Sequence, residues 1–155
     1  MVDKVVESVA TAAERQTGLA RKVLDYSLAM DRLVHASKQP GFDPARWNEL
    51  EEFIATDEFE RVGNFKETMS WEKYVGFLAR WGGSSEWEGS FKRATEVDNV
   101  VFVELEERSK VGEHTNAINS CNVYEFNDAG KIRHLDVYLQ AEPIDPEMLK
   151  AYDFG

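Results

Sequence analysis

Asn122-Val123-Tyr124-Glu125-Phe126-Asn127-Asp128-Ala129-Gly130-Lys131-Ile132-Arg133-His134-Leu135 reads as two strands joined by a tight turn. Asn and Asp bond their own nearby backbone and Gly accepts a positive φ, so Asn127-Asp128-Ala129-Gly130 has the chemistry of a hairpin connection. Working outward, His114 to Phe126 is one strand and Lys131 to Gln140 the last. Val100 to about Lys110 precedes them. Val97-Asp98-Asn99 is a turn after a further strand, in which Trp87, Gly89, Phe91, Arg93 and Thr95 alternate with Glu88, Ser90, Lys92 and Ala94. Glu142-Pro143-Ile144-Asp145-Pro146 leaves the sheet.

Upstream the period changes to that of helices. Thr17 to about Ser37 carries Ala20, Val23, Ser27, Met30 and Val34 on one stripe, broadened by Leu19, Tyr26 and Leu33, and Pro40-Gly41 ends it. Asp43-Pro44 opens a second helix, Asp as N-cap and Pro at the first helical position, with Trp47, Leu50 and Ile54 facing inward. A short extended piece, Glu58 to Val62, stops at Gly63. Ser70 caps a third helix bearing Trp71, Tyr74, Val75, Leu78 and Trp81 on one side, with Gly82-Gly83 after it. Helices first and antiparallel strands after them define an α+β fold. Three N-terminal helices must cover one face of a strongly curved, mainly antiparallel sheet, which makes a cone with one pocket. The chain divides into an N-terminal extension at 1–16, a mobile tail or extra helical turn, then a single domain at 17–142 and a C-terminal tail at 143–155.

Composition narrows the function classes. Hydrophobic residues are 43% of the 155 positions, enough for a core without disulfides, and the single Cys121 excludes a disulfide framework within the chain. Four Trp, five Tyr and nine Phe provide walls for a flat apolar ligand. A formal net charge of -11 without a dense basic run repels nucleic acid. No stretch is long enough to span a membrane and no apolar signal region opens the chain, so a cytoplasmic protein is expected. His35, His114 and His134 form no metal-ligating spacing, and no phosphate-binding or nucleophile motif occurs, so neither a metal nor a cofactor is expected.

The hairpin quoted above resembles the penultimate hairpin of ketosteroid isomerases and SnoaL-like proteins of the NTF2-like superfamily. Leu135-Asp136-Val137-Tyr138-Leu139 is similar to that superfamily's closing strand, and Ala55-Thr56-Asp57-Glu58-Phe59-Glu60-Arg61-Val62-Gly63 to its first short strand. The resemblance implies a cofactor-independent acid–base enzyme, an isomerase or lyase, acting on a small hydrophobic, aromatic or polycyclic molecule. Isomerisation, dehydration, cyclisation and retro-aldol cleavage use such equipment, including release of formaldehyde from lignin-derived diaryl compounds. The superfamily also holds non-catalytic dimers that bind small ligands or peptides, and this is the alternative.

Carried over position by position, the resemblance puts the general base at Glu60. A donor falls on Asn122, where ketosteroid isomerases have a protonated Asp, and a second on Tyr26, the only Tyr of the first long helix. Asn can donate a hydrogen bond but cannot transfer a proton. The bland alternatives are a solvated strand edge for Glu60, a core amide for Asn122 and a surface hydroxyl for Tyr26. By the period of two, Asn116, Ile118, Ser120, Asn122, Tyr124 and Phe126 share one face. Either that face looks into the pocket or Cys121 and Val123 do, and the hairpin resemblance favours the former. Trp71, Trp87 and Phe91 are expected on the pocket wall with Asn116, Ser120, Tyr124 and Val137. Arg93 either projects into the cavity beside Trp87 and Phe91 or lies at the surface near the rim. Glu107, in step with Val101, Val103 and Leu105, is the other acid that points inward. His134, Asp136 and Tyr138 alternate on the face opposite Leu135, Val137 and Leu139, and are expected at a homodimer interface.

Overall fold

The computed structural model describes residues 7–84, 86–111 and 113–142. Four long strands dominate: β3 (Glu86–Val97), β4 (Val100–Val111), β5 (His114–Phe126) and β6 (Ile132–Gln140). Two short ones, β1 (Glu60–Val62) and β2 (Thr68–Ser70), complete a curved six-stranded sheet of order β2-β1-β6-β5-β4-β3. All neighbours are antiparallel except β1 and β6, which run parallel. Two turns set the registers. Asp98 takes φ 54° between β3 and β4, and Gly130 takes φ 74° between β5 and β6. Asn127 fixes the second turn by accepting from the Lys131 backbone N–H at 2.9 Å. The β2 strand, three residues after a tight turn, is too short for any period to announce it.

Three α-helices and one 3₁₀ helix lie against the sheet: α1 (Val9–Arg15), α2 (Gly18–Ser37), the 3₁₀ helix (Pro44–Glu52) and α3 (Trp71–Ser84). The expected caps are present. Asp43 Oδ1 accepts from Ala45 N–H at 2.9 Å, and Ser70 Oγ accepts from Lys73 N–H at 3.3 Å. At the start of α2 the Glu96 carboxylate, from β3, accepts from Leu19 N–H at 2.7 Å and so supplies the cap that Thr17 does not. The buried stripe of α2 is Ala20, Val23, Leu24, Tyr26, Ala29, Leu33 and Val34, while Ser27 and Met30 sit at its margin. None of the helices among the described residues is long and apolar enough to cross a membrane.

Of the two readings of the N-terminal extension, residues 7–15 take the helical one. Phe91 N–H donates to the Glu7 carbonyl at 2.9 Å, Ser8 bridges Ser90, and Val9, Ala12 and Ala13 of α1 are buried. Three small or branched apolar residues on one side of a two-turn helix suffice to dock it. The tail at 143–155 and residues 1–6 lie outside the described residues.

The core runs from α2 and the 3₁₀ helix to the helix-facing side of β4, β5 and β6, with Trp47, Tyr26, Leu24, Leu33, Leu50, Val101, Val103 and Ile132 almost wholly buried. Trp47 is its largest member. Trp47→Ala is expected to cost about 3–5 kcal/mol, because the lost transfer energy and the residual cavity add. Urea unfolding with an unchanged slope and a lower midpoint checks this, and a loss below about 1 kcal/mol contradicts it.

Candidate active site

The parity of a three-residue strand decides which charged group faces the helices. In the parallel pairing of β1 with β6, Glu60 stands opposite His134 and Arg61 opposite Leu135. Leu135 is buried under the helices, so Arg61 turns inward and Glu60 outward. The Glu60 side chain is 54% exposed, 3.6 Å from His134 Nδ1, and His134 Nε2 is 3.0 Å from Asp136 Oδ1. The expectation that Glu60 points into the pocket is therefore corrected: one residue of register moves a side chain to the opposite face, and a strand of three offers no alternation to read.

Arg61 enters a cluster of aromatic rings from α3 instead. Its guanidinium carbon lies 5.0 Å from the Tyr74 ring centroid and 5.8 Å from that of Phe77. Tyr74 stacks on Phe59 and Phe77 at 6.2 Å each, and Trp71 meets Tyr74 edge-on at 6.1 Å. Spacing of three residues on α3 places Trp71, Tyr74 and Phe77 along one side of that helix. Tyr26 reaches the same cluster from α2 and meets Tyr124 of β5 edge-on at 6.1 Å. Burial is the main reason the Tyr26, Tyr74 and Tyr124 hydroxyls are held above the ordinary tyrosine pKa. Mutual repulsion among them raises Tyr26 and Tyr124 further, and the nearby Arg61 charge works the other way on all three. These phenols thus remain neutral donors.

Three buried donor atoms have no hydrogen-bond partner among the described residues: the Tyr26 hydroxyl, Trp71 Nε1 and Arg61 Nε. Tyr26 and Tyr74 face one another closely enough to affect each other's ionisation, yet the Tyr26 hydroxyl meets no partner at hydrogen-bond geometry.

The carboxylate on the helix-facing side is Glu107. It continues the run of Val101, Val103 and Leu105, all buried, and it raises the pKa of both Tyr74 and Tyr124. Trp87 Nε1 donates to Glu107 Oε1 at 2.8 Å and fixes the carboxylate. A side chain at Gly89 would meet the Trp87 ring at 2.8 Å, so this glycine lets the indole lie across β3 to reach Glu107. Trp81 of α3 packs edge-on against Trp87 at 6.5 Å.

The remaining expected residues divide. Asn122 pairs with Val103 and Val137 and so shares their helix-facing side, where its Nδ2 donates to the buried Ser120 Oγ at 3.3 Å. Asn122, Val137 and Glu107 keep partial exposure although they face the helices, as does Phe77 on α3, so this side of the sheet is not filled to its ends. An open cleft of about 1040 Å³ lies between the second half of α2 and the ends of β3, β4 and β5; Ser27, Asp31, Trp87 and Asn116 are on its walls. The hydroxyl of Ser27 adjoins Tyr124, but Tyr26, Tyr74 and Tyr124 themselves are buried and not on the cleft wall. Phe91 is core, covered by the Arg15 guanidinium at 5.5 Å, and not a free pocket wall. Arg93 points to the opposite side, where it pairs with Glu104. The cause is a β-bulge between Phe91 and Arg93, which reverses the alternation from that point on. Among the described residues no group of three or more His, Cys, Asp or Glu is placed to hold a metal ion.

A carboxylate, neutral phenols and unpartnered N–H donors on one face can together remove a proton from a bound molecule and hold the negative oxygen that results. The periodic pattern made Glu107 visible as an inward acid and Trp71 and Tyr74 visible as one side of a helix. Nothing periodic marked Arg61.

No protein-family model matches the chain, and no curated protein matches it in sequence. Solved structures do. An NTF2-like protein from Burkholderia xenovorans aligns with 79% of this chain and 88% of its own at 13% identity and a TM-score of 0.62. An LEH-like epoxide hydrolase from M. tuberculosis aligns over 73% and 84% at 16% identity and a TM-score of 0.53. A protein of ketosteroid-isomerase-like fold from Catenulispora acidiphila, in complex with trimethylamine, aligns over 68% and 83% at 18% identity and a TM-score of 0.51. At these identities the likeness is one of fold.

The buried phenols make a pH prediction. Their folded-state pKa values lie above the unfolded value of 10.0, so their contribution to stability is complete below pH 10 and is lost as pH rises past it. Absorbance at 295 nm during alkaline titration should show three of the five tyrosines ionising only with unfolding. Five tyrosines titrating together near pH 10 with the fold intact contradict this placement.

Proposed function

Taking the NTF2-like fold as its frame, we propose that this protein is an acid–base enzyme, needing no cofactor, that isomerises or cleaves a small aromatic or polycyclic compound held between α2, α3 and the sheet. Glu107 is the general base. Tyr26 and Tyr74 donate to the oxygen on which negative charge develops, with Asn122 as a further donor on the same face. The observation that carries the reading is the Tyr26 hydroxyl: buried, unpartnered and beside a second neutral phenol that feels the Glu107 carboxylate.

In the isomerisation of a β,γ-unsaturated ketone, Glu107 takes a proton from the carbon between the carbonyl and the double bond, and the C–H electron pair moves into a dienolate whose oxygen the phenols hold. The carbonyl then re-forms, the double bond shifts to the α,β position, and the protonated Glu107 gives its proton to the γ-carbon. In a retro-aldol cleavage Glu107 takes the hydroxyl proton, the O–H electrons form the new carbonyl, and the C–C electrons move into the acceptor carbonyl as an enolate. The Tyr26 and Tyr74 hydroxyls are buried, and in such a dry setting a hydrogen bond to an anion is worth more than in water. The epoxide hydrolase neighbour supports an enzymatic use of this fold by analogy.

Turnover of a panel of aromatic enones, diols and β-hydroxy ketones tests the assignment. Glu107→Gln is expected to lose about a hundredfold to ten-thousandfold in kcat with the fold intact. Glu60→Gln should stay within about twofold, since its carboxylate faces away from the phenols. Full activity in Glu107→Gln, or loss confined to Glu60→Gln, contradicts the proposal.

The same reading pairs two copies through the outer sheet face. Tyr138 is 60% exposed there beside His134 and Asp136, a large ring left in water. Sedimentation velocity at micromolar concentration should show a dimer that Tyr138→Glu weakens. A monomer throughout counts against it.

A further inference from the structure

The donors around Tyr74 outnumber the acceptors: the Tyr74 hydroxyl oxygen adjoins both Tyr26 and Arg61, yet the Tyr26 hydroxyl, Trp71 Nε1 and Arg61 Nε meet no described group at hydrogen-bond geometry. An Arg side chain offers five N–H groups and accepts nothing, an indole N–H only donates, and both are drawn into one aromatic cluster with the Tyr26 hydroxyl. Arg61 is also short of countercharge. Its side chain is only 13% exposed, and its nearest carboxylate among the described residues is Glu67, 3.6 Å from Nη1 and itself 40% exposed. The rings of Tyr74 and Phe77 stabilise a cation by their π faces but do not neutralise it. The Tyr74 hydroxyl adjoins Arg61 but carries no charge, so a guanidinium this far from water with one loose carboxylate is under-compensated. Gly63 is part of the arrangement, since any side chain there would overlap the Glu67 carboxylate and crowd the guanidinium.

We propose that Arg61 anchors an anionic substituent of the ligand, a carboxylate carried on a flat aromatic frame, with Trp71 Nε1 and the Tyr26 hydroxyl as neighbouring donors in the same acceptor-poor cluster. A carboxylate supplies the missing acceptors and the missing charge together, and the planar fork of Arg matches its two oxygens. The stacked rings of Phe59, Tyr74 and Phe77 favour a flat frame over a branched aliphatic one. Glu107, also negative and close to the Tyr74 hydroxyl, repels the anionic end. The ligand is therefore oriented, with its charge at Arg61 and its reacting carbon toward Glu107. This names the substrate class of the pocket assigned above and rests on that assignment.

Isothermal titration of the whole chain with 2-naphthoate and with its neutral isostere 2-naphthamide tests the anchor without any turnover. The carboxylate should bind at least about tenfold more tightly than the amide, and added salt should narrow the gap. Arg61→Gln should abolish the preference. Arg93→Gln, paired with Glu104 on the other face, should keep it. Equal affinity for the two probes, a preference for the amide, no measurable binding of the carboxylate, or an unchanged preference in Arg61→Gln each overturns the proposal. The comparison of probes on the unaltered chain decides even if Arg61→Gln does not fold. Glu107→Gln should bind 2-naphthoate at least as tightly as the unaltered chain does. If the carboxylate preference is absent while Glu107→Gln still abolishes turnover of a neutral substrate, the anchor alone is wrong and the acid–base assignment stands.

Discussion

Hydrogen-bond donors buried without acceptors are the constraint around which this molecule is arranged. Each such group costs about 1–3 kcal/mol relative to its hydrated state. The Tyr26 hydroxyl, Trp71 Nε1 and Arg61 Nε are therefore a standing expense, and nothing in the packing of α2 or α3 requires them to be polar. Replacement by Phe at Tyr26 would fill the same space. The stability that tolerates them comes from elsewhere, chiefly from Trp47, Leu24, Leu33 and Leu50 and from Val101 and Val103 of β4, which are buried. Polar groups kept under such conditions mark a place where something else completes the bonding.

Small backbone features aim the groups at one another. The parallel register of β1 on β6 turns Arg61 in and Glu60 out. Gly89 lets Trp87 lie flat enough to hold Glu107. The bulge after Phe91 keeps that ring in the core and sends Arg93 to Glu104 on the far side, so that Arg61 and not Arg93 is the cation of the inner cluster. The outer face is the mirror of this arrangement: its charges are paired, Arg133 with Glu125 and Arg93 with Glu104, and its histidine lies between two carboxylates.

Much of this was legible in the residues because long elements carry their own period. His114 to Phe126 alternates without interruption, so counting puts Asn122 and Tyr124 on one face and the hairpin resemblance chooses the helix side for it, while the caps Asp43 and Ser70 announce the next two helices. The failures share one physical cause, the loss of period. β1 is three residues long, β3 contains a bulge, and α1 is two turns, so local counting misplaces Glu60 and leaves the side of Arg93 and the state of residues 7–15 open between two readings. Family resemblance compounded the first of these, since it put the base on β1 where the register exposes it. Glu107 lies on a twelve-residue strand, and there counting succeeded.

The claim at the centre is that recognition happens on the helix-facing side, at the donors around Tyr74. The most direct measurement follows the indole N–H signals of a ¹⁵N-labelled sample during titration with 2-naphthol, whose oxygen stands in for the developing oxyanion. The Trp71 Nε1–H resonance should move markedly downfield as it gains an acceptor, while the ring signals of His134 and Tyr138 stay in place. An unmoved Trp71 signal, with shifts at His134 and Tyr138 instead, would put the binding face on the other side of the sheet and contradict the account.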